Sequence, residues 1–227
     1  MKKIITLASV AVLFFAACKK TDAPVDANIR LVNLSPDSSP LTLIANINLL
    51  VGFVGFGTAS NYLSISSSSP LATIVDPASS LGTPLVSANL LLQATKSYSL
   101  IVFDSVSAIK TSLIEDDRTA PATGKINMRF LNFYKGSVIV DIKRGTTSLF
   151  NSRTTNDHSI NGSLTQYTSM DPGSYSLGVF VAGSSVNLFQ LPAIDLAAGK
   201  NYTLVLRGFS SVSSGPQAMV LVPITDN

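Results

Sequence analysis

Apolar and polar side chains alternate with a period of two along several short stretches of the chain. Val138, Val140 and Ile142 alternate with Ser137, Ile139, Asp141 and Lys143. Tyr175, Leu177, Val179 and Val181 alternate with Ser174, Ser176, Gly178 and Phe180, and Tyr202, Leu204 and Leu206 are spaced in the same way. That period places one set of side chains on one face of an extended strand. Turn residues separate the runs, as in Ser35-Pro36-Asp37, Asp76-Pro77, Asp171-Pro172-Gly173 and Ala198-Gly199-Lys200. Roughly seven such strands in about 100 residues predict a β-sandwich. Connections too short for crossover helices predict antiparallel pairing.

The pattern occurs twice. Arg30-Leu31-Val32-Asn33-Leu34 corresponds to Arg129-Phe130-Leu131-Asn132-Phe133, and Tyr62-Leu63-Ser64-Ile65 to Tyr167-Thr168-Ser169-Met170. Ala94-Thr95-Lys96-Ser97-Tyr98-Ser99-Leu100-Ile101 corresponds to Ala198-Gly199-Lys200-Asn201-Tyr202-Thr203-Leu204-Val205. The offsets of 99, 105 and 104 keep the order with small insertions, which marks an internal duplication. The chain divides within Glu115–Ala122, giving one unit over 28–118 and a divergent second over 119–227. The expected fold is all-β: two tandem Ig-like or transthyretin-like antiparallel β-sandwiches. A single barrel is the alternative, disfavoured by the mid-chain linker.

Before the first unit the pattern changes. Lys2 and Lys3 precede an apolar run from Ile4 to Ala17, interrupted only by Thr6 and Ser9. At 1.5 Å per residue this run spans about 21 Å, short of the roughly 30 Å hydrocarbon core, so it reads as a secretory leader over 1–17. Leu13-Phe14-Phe15-Ala16-Ala17-Cys18 resembles a bacterial lipobox, with Phe15 in place of the usual leucine. Cys18 is then the lipidated first residue of the mature protein, and several acyl chains would anchor it stably. Lys19 and Lys20 stand where enterobacterial inner-membrane retention would place an aspartate. Residues 18–27 form a polar tether containing Pro24. The expected location is the outer membrane, on its periplasmic or outer face.

Composition removes several classes of function. Without the leader, 14 Lys and Arg face 13 acids, which gives no clustered basic surface for nucleic acid. Cys18 is the only cysteine, so its lipidation leaves no thiolate for a disulfide or metal site. Glu115 is the sole glutamate, and the β-branched residues favour strands over helices.

Three stretches resemble one family. Asn33-Leu34-Ser35-Pro36-Asp37-Ser38-Ser39-Pro40, Gly55-Phe56-Gly57-Thr58-Ala59-Ser60-Asn61-Tyr62-Leu63 and Lys96-Ser97-Tyr98-Ser99-Leu100-Ile101 resemble the DUF4397 domain of bacterial secreted and lipid-anchored proteins. The resemblance covers about 28–115 and the second unit in part, where Tyr134-Lys135-Gly136 replaces the Ser-Pro-Asp turn. It implies an envelope location, common among Bacteroidota, and no assigned catalytic residues.

Candidate chemistry is sparse. His158 is the only histidine and reads as an exposed loop residue, without a Gly-x-Ser-x-Gly elbow or a second histidine to build a hydrolytic or zinc site. Glu115, Asp116 and Asp117 would offer oxygens to Ca²⁺, although a solvated linker is the better account of an acidic run that lacks the spaced Asp loop. No pair of acids stands out for glycoside hydrolysis. The glycines of Gly52-Phe53-Val54-Gly55-Phe56-Gly57 read as strand or bulge positions. Tyr62, Tyr98, Tyr167 and Tyr202 recur between the units and read as core or corner residues. Tyr134 lies outside those positions and is the candidate exposed platform for a sugar. Asp104-Ser105-Val106 matches the O-glycosylation acceptor of Bacteroidota, which makes Ser105 a candidate modification site.

No cofactor is expected. The expectation is a non-enzymatic, lipid-anchored binding or adhesion module that touches the membrane through its lipid and a protein or glycan at the cell surface. The alternatives are a glycan-capturing lipoprotein that feeds a transporter and, less favoured, a hydrolase.

Overall fold

The structure, a computed structural model, describes residues 26–78 and 84–226. The leader and Cys18 lie outside the described residues. No helix among those residues is long and apolar enough to cross a membrane.

The first copy contains β1 (Ala27–Asn33), β2 (Leu41–Ala45), β3 (Asn48–Val54), β4 (Thr58–Ala59), β5 (Leu63–Ile65), β6 (Leu71–Val75), β7 (Pro84–Asn89), β8 (Ser97–Phe103) and β9 (Lys110–Glu115). The second contains β10 (Ile126–Asn132), β11 (Val140–Arg144), β12 (Thr147–Arg153), β13 (Thr168–Met170), β14 (Gly173–Tyr175), β15 (Leu177–Val181), β16 (Asn187–Gln190), β17 (Ile194–Leu196), β18 (Asn201–Arg207) and β19 (Val220–Thr225).

Each copy is a sandwich of two sheets with the same strand order. In the first, β4 and β5 flank β1, followed by β8 and β9, against a sheet ordered β3-β2-β6-β7. In the second, β13-β10-β18-β19 faces β12-β11-β15-β16, with β14 and β17 as a small extra ribbon. The all-β sandwich expected from alternation is therefore present twice.

One pairing in each copy departs from the antiparallel expectation. β1 runs parallel to β8, with Leu31 beside Leu100, and β10 runs parallel to β18, with Phe130 beside Leu204. The short connections exclude parallel pairing only between strands adjacent in sequence. β1 and β8 are joined through the entire opposite sheet, which serves as the crossover.

These paired strands are buried on both faces. Ile29, Leu31, Tyr98, Leu100 and Val102 point into the core of the first sandwich, with Leu41, Leu43 and Ile74 from the facing sheet. Met128, Phe130, Tyr202, Leu204 and Leu206 do the same in the second, against Val140, Ile142, Leu177 and Val179. Tyr98 accepts a hydrogen bond at its hydroxyl from the Gln93 N–H, and Tyr202 from that of Ala197, each at 3.0 Å. The repeated tyrosines thus close equivalent corners, as expected.

The outward residues of the same strands form a third core. Val32, Leu34, Ile101, Phe103 and Ile114 from the first copy pack on Leu131, Phe133, Val205 and Ile224 from the second. Four sheets are consequently stacked, and the sandwiches meet through the faces carrying β1, β8, β10 and β18. Strands buried on both faces carry near-continuous apolar runs, as Leu31-Val32 and Leu100-Ile101-Val102-Phe103 do.

Candidate functional site: the interface between the copies

An arginine within an apolar strand is rarely buried unless it is paired. Arg30 in β1 and Arg129 in β10 sit at equivalent positions and are 3% and 1% exposed. Both point into the interface, where each crosses to the other copy. Arg30 Nη2 pairs with Asp226, just after β19, and Arg129 Nη2 pairs with Asp116, just after β9.

The surroundings repeat in detail. Arg30 Nε donates to Ser99 Oγ at 2.7 Å and Nη1 to the Thr225 carbonyl at 3.0 Å. Arg129 Nε donates to Thr203 Oγ1 at 2.8 Å and Nη1 to the Glu115 carbonyl at 3.2 Å. Ser99 passes its proton donor on to Asp116 Oδ2 at 2.6 Å, where Tyr62 also donates at 2.8 Å. Thr203 donates to Asp226 Oδ2 at 2.6 Å, and Tyr167 at 2.7 Å. The guanidiniums lie over the rings of Tyr62 and Tyr167, at 4.7 and 4.6 Å from the centroids. Each carboxylate is therefore held by a tyrosine and a hydroxyl of its own copy and by an arginine of the other.

This network is electrostatically closed. Burial alone would pull Arg30 and Arg129 down, and the facing carboxylates more than offset it, so both are held charged. Burial, with the adjacent Asp116 and Asp226, pushes the Tyr62 and Tyr167 hydroxyls well above the usual range, so both remain proton donors. The desolvation cost of buried ion pairs cancels much of their attraction. Their consequence is specificity: the close Arg30–Asp226 and Arg129–Asp116 pairs form only when the two copies meet in this register, although Arg30 Nε also lies 4.0 Å from Asp116 of its own copy.

Two crevices lie at opposite ends of the interface. One, of about 610 Å³, is polar and bordered by Lys96, Glu115, Asp117, Arg118 and Gln166. It lies where β8 begins and β9 ends. The other, of about 430 Å³, lies beyond the last residues of β1, β8, β10 and β18 and is bordered by Leu34, Phe103, Phe133, Lys135 and Phe209. Turns from both copies form its walls. Asn33 Oδ1 accepts from the Ser35 N–H and Asn132 Oδ1 from the Tyr134 N–H, both at 3.0 Å, so the same asparagine shapes the equivalent turn in each copy. Asp37 of the Ser-Pro-Asp turn accepts from the Val106 N–H at 2.9 Å and fixes the neighbouring loop.

The Gly55-Phe56-Gly57 stretch also serves the interface. Arg207 of β18 lies over the Phe56 ring at 3.8 Å. Gly57 has φ +76°, and a Cβ there would meet Arg207 Nη2 at 2.8 Å, so a side chain would obstruct this cross-copy contact. Upstream, two residues of β3 are bulged out near Gly52, and Phe53 takes φ 57° with 75% exposure. The bulge reading therefore fits Gly52, whereas Gly57 accommodates the partner arginine.

Several expected site residues lie elsewhere than the sequence suggested. Glu115, Asp116 and Asp117, the acidic run weighed for calcium, take separate partners. Glu115 pairs with Lys96 at 2.7 Å, Asp116 is committed to the arginine network, and Asp117 accepts from the Thr119 N–H at 2.9 Å. No group of three potential metal ligands occurs among the described residues. Nor is the acidic run a solvated linker throughout, because Asp116 is 3% exposed.

Tyr134 is 7% exposed and belongs to the second core, contrary to its expected role as an exposed platform. It follows a strand whose outward face is covered by the first copy. His158, expected in an exposed loop, is also 7% exposed. Its ring lies 4.9 Å from that of Phe133, and Nε2 is 3.0 Å from Ser112 Oγ of the first copy. Nδ1 has no partner among the described residues, and the neighbouring Asp157 is engaged by Arg153. Ser105 lies in the turn beside the distal crevice, half-buried, with its Oγ 3.2 Å from Ser107 Oγ.

The architecture places the chain among tandem all-β sandwich proteins. Residues 27–143 match the family described as a domain of unknown function, DUF4397, and the chain belongs to it. The match takes in β1 to β9 and continues through β10 into β11. No curated protein matches the chain in sequence. Among solved structures it is similar to the family 26 carbohydrate-binding module of Eubacterium rectale Amy13K in complex with maltoheptaose, at 13% identity, 87% of this chain, 96% of that one and a TM-score of 0.25. It is also similar to candidate cell adhesion proteins of Bacteroides fragilis (11% identity, 89% and 97% coverage, TM-score 0.21) and Bacteroides eggerthii (13%, 88% and 95%, TM-score 0.20). Likeness this distant transfers neither a ligand nor a site residue.

Removing one partner of a crossed pair leaves a buried charge without its close counter-ion; after loss of Arg129, Asp116 keeps only Arg30 Nε at 4.0 Å. Arg129→Met is expected to lower stability by about 3–5 kcal/mol, and adding Asp116→Leu to recover more than half of the loss, as read from urea unfolding. His158 generates a pH dependence of defined sign. Burial depresses its pKa below the ordinary 6.5, so the unfolded chain takes up a proton that the folded chain resists. Stability from this residue is present above about pH 6.5 and is lost as pH falls toward the depressed folded value. Urea midpoints between about pH 7 and pH 5.5 should decline more steeply for the native protein than for His158→Gln.

Proposed function

We propose that this protein is a lipid-anchored, non-enzymatic binding module of the cell envelope, working through the end of the sheet stack remote from its amino terminus. The observation that carries this reading is the common polarity of the central strands. β1 begins at Ala27, on the tether side, and the turns at Ser35–Asp37 and Lys135–Ser137 follow the far ends of β1 and β10. Seven residues at about 3.3 Å each separate the two ends by more than 20 Å. A lipid on Cys18 would hold the near end at the membrane and present the far loops outward. Ser105, beside those loops, is the residue on which a glycan would be carried.

The side chains support contact over chemistry. Ser112 and His158 meet, but among the described residues no carboxylate orients the imidazole from Nδ1, as a hydrolytic triad requires. The glycan-capture alternative needs an exposed tyrosine platform. All six tyrosines are instead committed: Tyr98, Tyr134, Tyr175 and Tyr202 are buried, and Tyr62 and Tyr167 are bound into the arginine network.

The test is fractionation of native cells together with protease shaving. The native protein should sit in the outer-membrane fraction, with a mass above that of residues 18–227 by its acyl chains, and Cys18→Ser should release it. Shaving of intact cells should cleave the far loops first. An unacylated native protein, or loops untouched where surface controls are cut, would overturn the reading.

A further inference from the structure

The two crevices differ in chemistry, and only the distal one combines an apolar floor with excess charge. Leu34 and the rings of Phe103 and Phe133, 4.9 Å apart, form that floor. Phe209 stands at the side, with Lys135 Nζ 5.6 Å from its ring centroid. Leu34, Phe103 and Phe133 are also members of the cross-copy core, 2%, 8% and 5% exposed, so both sandwiches contribute the floor and only its edges face the crevice, beside the half-buried Phe209.

Charge is gathered on one wall. Asp104, with a side chain 10% exposed, pairs with both Lys110 and Lys135, whose side chains are 59% and 53% exposed. Two ammonium groups on one carboxylate leave a net positive charge at the mouth. Each ammonium has three donors, so donors remain for an incoming acceptor. The Lys pairs also hold Asp104 below the usual carboxylate range, against the opposing effect of its partial burial, so its charge is fixed. Asn156 also borders the crevice, with its Oδ1 buried beneath the surface and without a partner among the described residues. At about 430 Å³ the space falls within the range of small-molecule sites, which pair an apolar lining with a few placed polar groups.

We propose that the distal crevice binds one small amphiphilic organic anion per chain, its apolar body on Leu34, Phe103 and Phe133 and its acid group on Lys110 and Lys135. This deepens the binding-module reading by naming what the far end holds. Both charge and apolar area are required. A fully hydrated inorganic anion would make no use of the Phe209 ring and the floor edges beside Lys135, and a neutral amphiphile would leave the ammonium donors unused.

The experiment is fluorescence titration of purified residues 19–227, which hold every strand of the fold and carry neither the apolar leader nor acyl chains, with anilinonaphthalene sulfonate and its uncharged parent phenyl-naphthylamine. The sulfonate should saturate at one per chain and bind about tenfold more tightly than the uncharged dye, the size expected for one charge-assisted contact. Lys135→Gln should weaken the sulfonate about tenfold and leave the uncharged dye unchanged. Lys96→Gln breaks a comparable surface ion pair at the opposite end and should alter neither. Equal affinities for the two dyes, binding that does not saturate at one, or indifference to Lys135→Gln would each overturn the proposal. None of these results bears on acylation or on surface display, which are read separately in cells.

Discussion

Two arginines reaching across an apolar interface decide how this molecule is assembled. Arg30 and Arg129 lie in the central strands of different sandwiches, and each finds its carboxylate on the other one. Had each paired only within its own copy, the apolar core alone would join the two sandwiches. Crossing makes the charge balance of each depend on the other. The surrounding apolar residues, Val32, Ile101, Leu131 and Val205 among them, supply the attraction, and the arginines select the register.

Position follows from that register. The crossed pairs bring the outer faces of β1, β8, β10 and β18 together with their ends aligned. Equivalent turns from the two copies consequently meet at one end and enclose the distal crevice. Neither sandwich alone would build it, because Leu34 and Phe103 come from one copy and Phe133, Lys135 and Phe209 from the other. The proposed function thus depends on the duplication itself. The copies also differ at the crevice: Lys135 stands at the position of Pro36, and its ammonium crosses to Asp104 of the first copy.

Much of the architecture was legible in the sequence. Alternation gave the strands, repeated motifs gave the duplication, and Tyr98 and Tyr202 were rightly read as corner or core residues. What escaped was the burial of outer faces. Alternation shows which side of a strand is apolar, but it cannot show that a second sandwich covers the other side. For that reason Tyr134 and His158 were expected in solvent, and Asp116 in a hydrated linker. A signal was nonetheless present. Arg30 and Arg129 interrupt apolar runs at matching positions, and Ile114-Glu115-Asp116 is echoed by Ile224-Thr225-Asp226 at the end of the last strand of each copy. Two arginines and two aspartates in equivalent places, each in a segment otherwise destined for a core, are the mark of paired burial. The parallel pairing of β1 with β8 was invisible for a different reason: it joins the first and last parts of a sandwich, far beyond the reach of local spacing rules.

The central claim is that the crossed ion pairs and the core around them make two sandwiches into one cooperative body. Differential scanning calorimetry of the intact protein tests it most directly. The account predicts a single transition whose calorimetric and van't Hoff enthalpies agree for the whole chain. Two resolved transitions, each with the enthalpy of one sandwich, would contradict it.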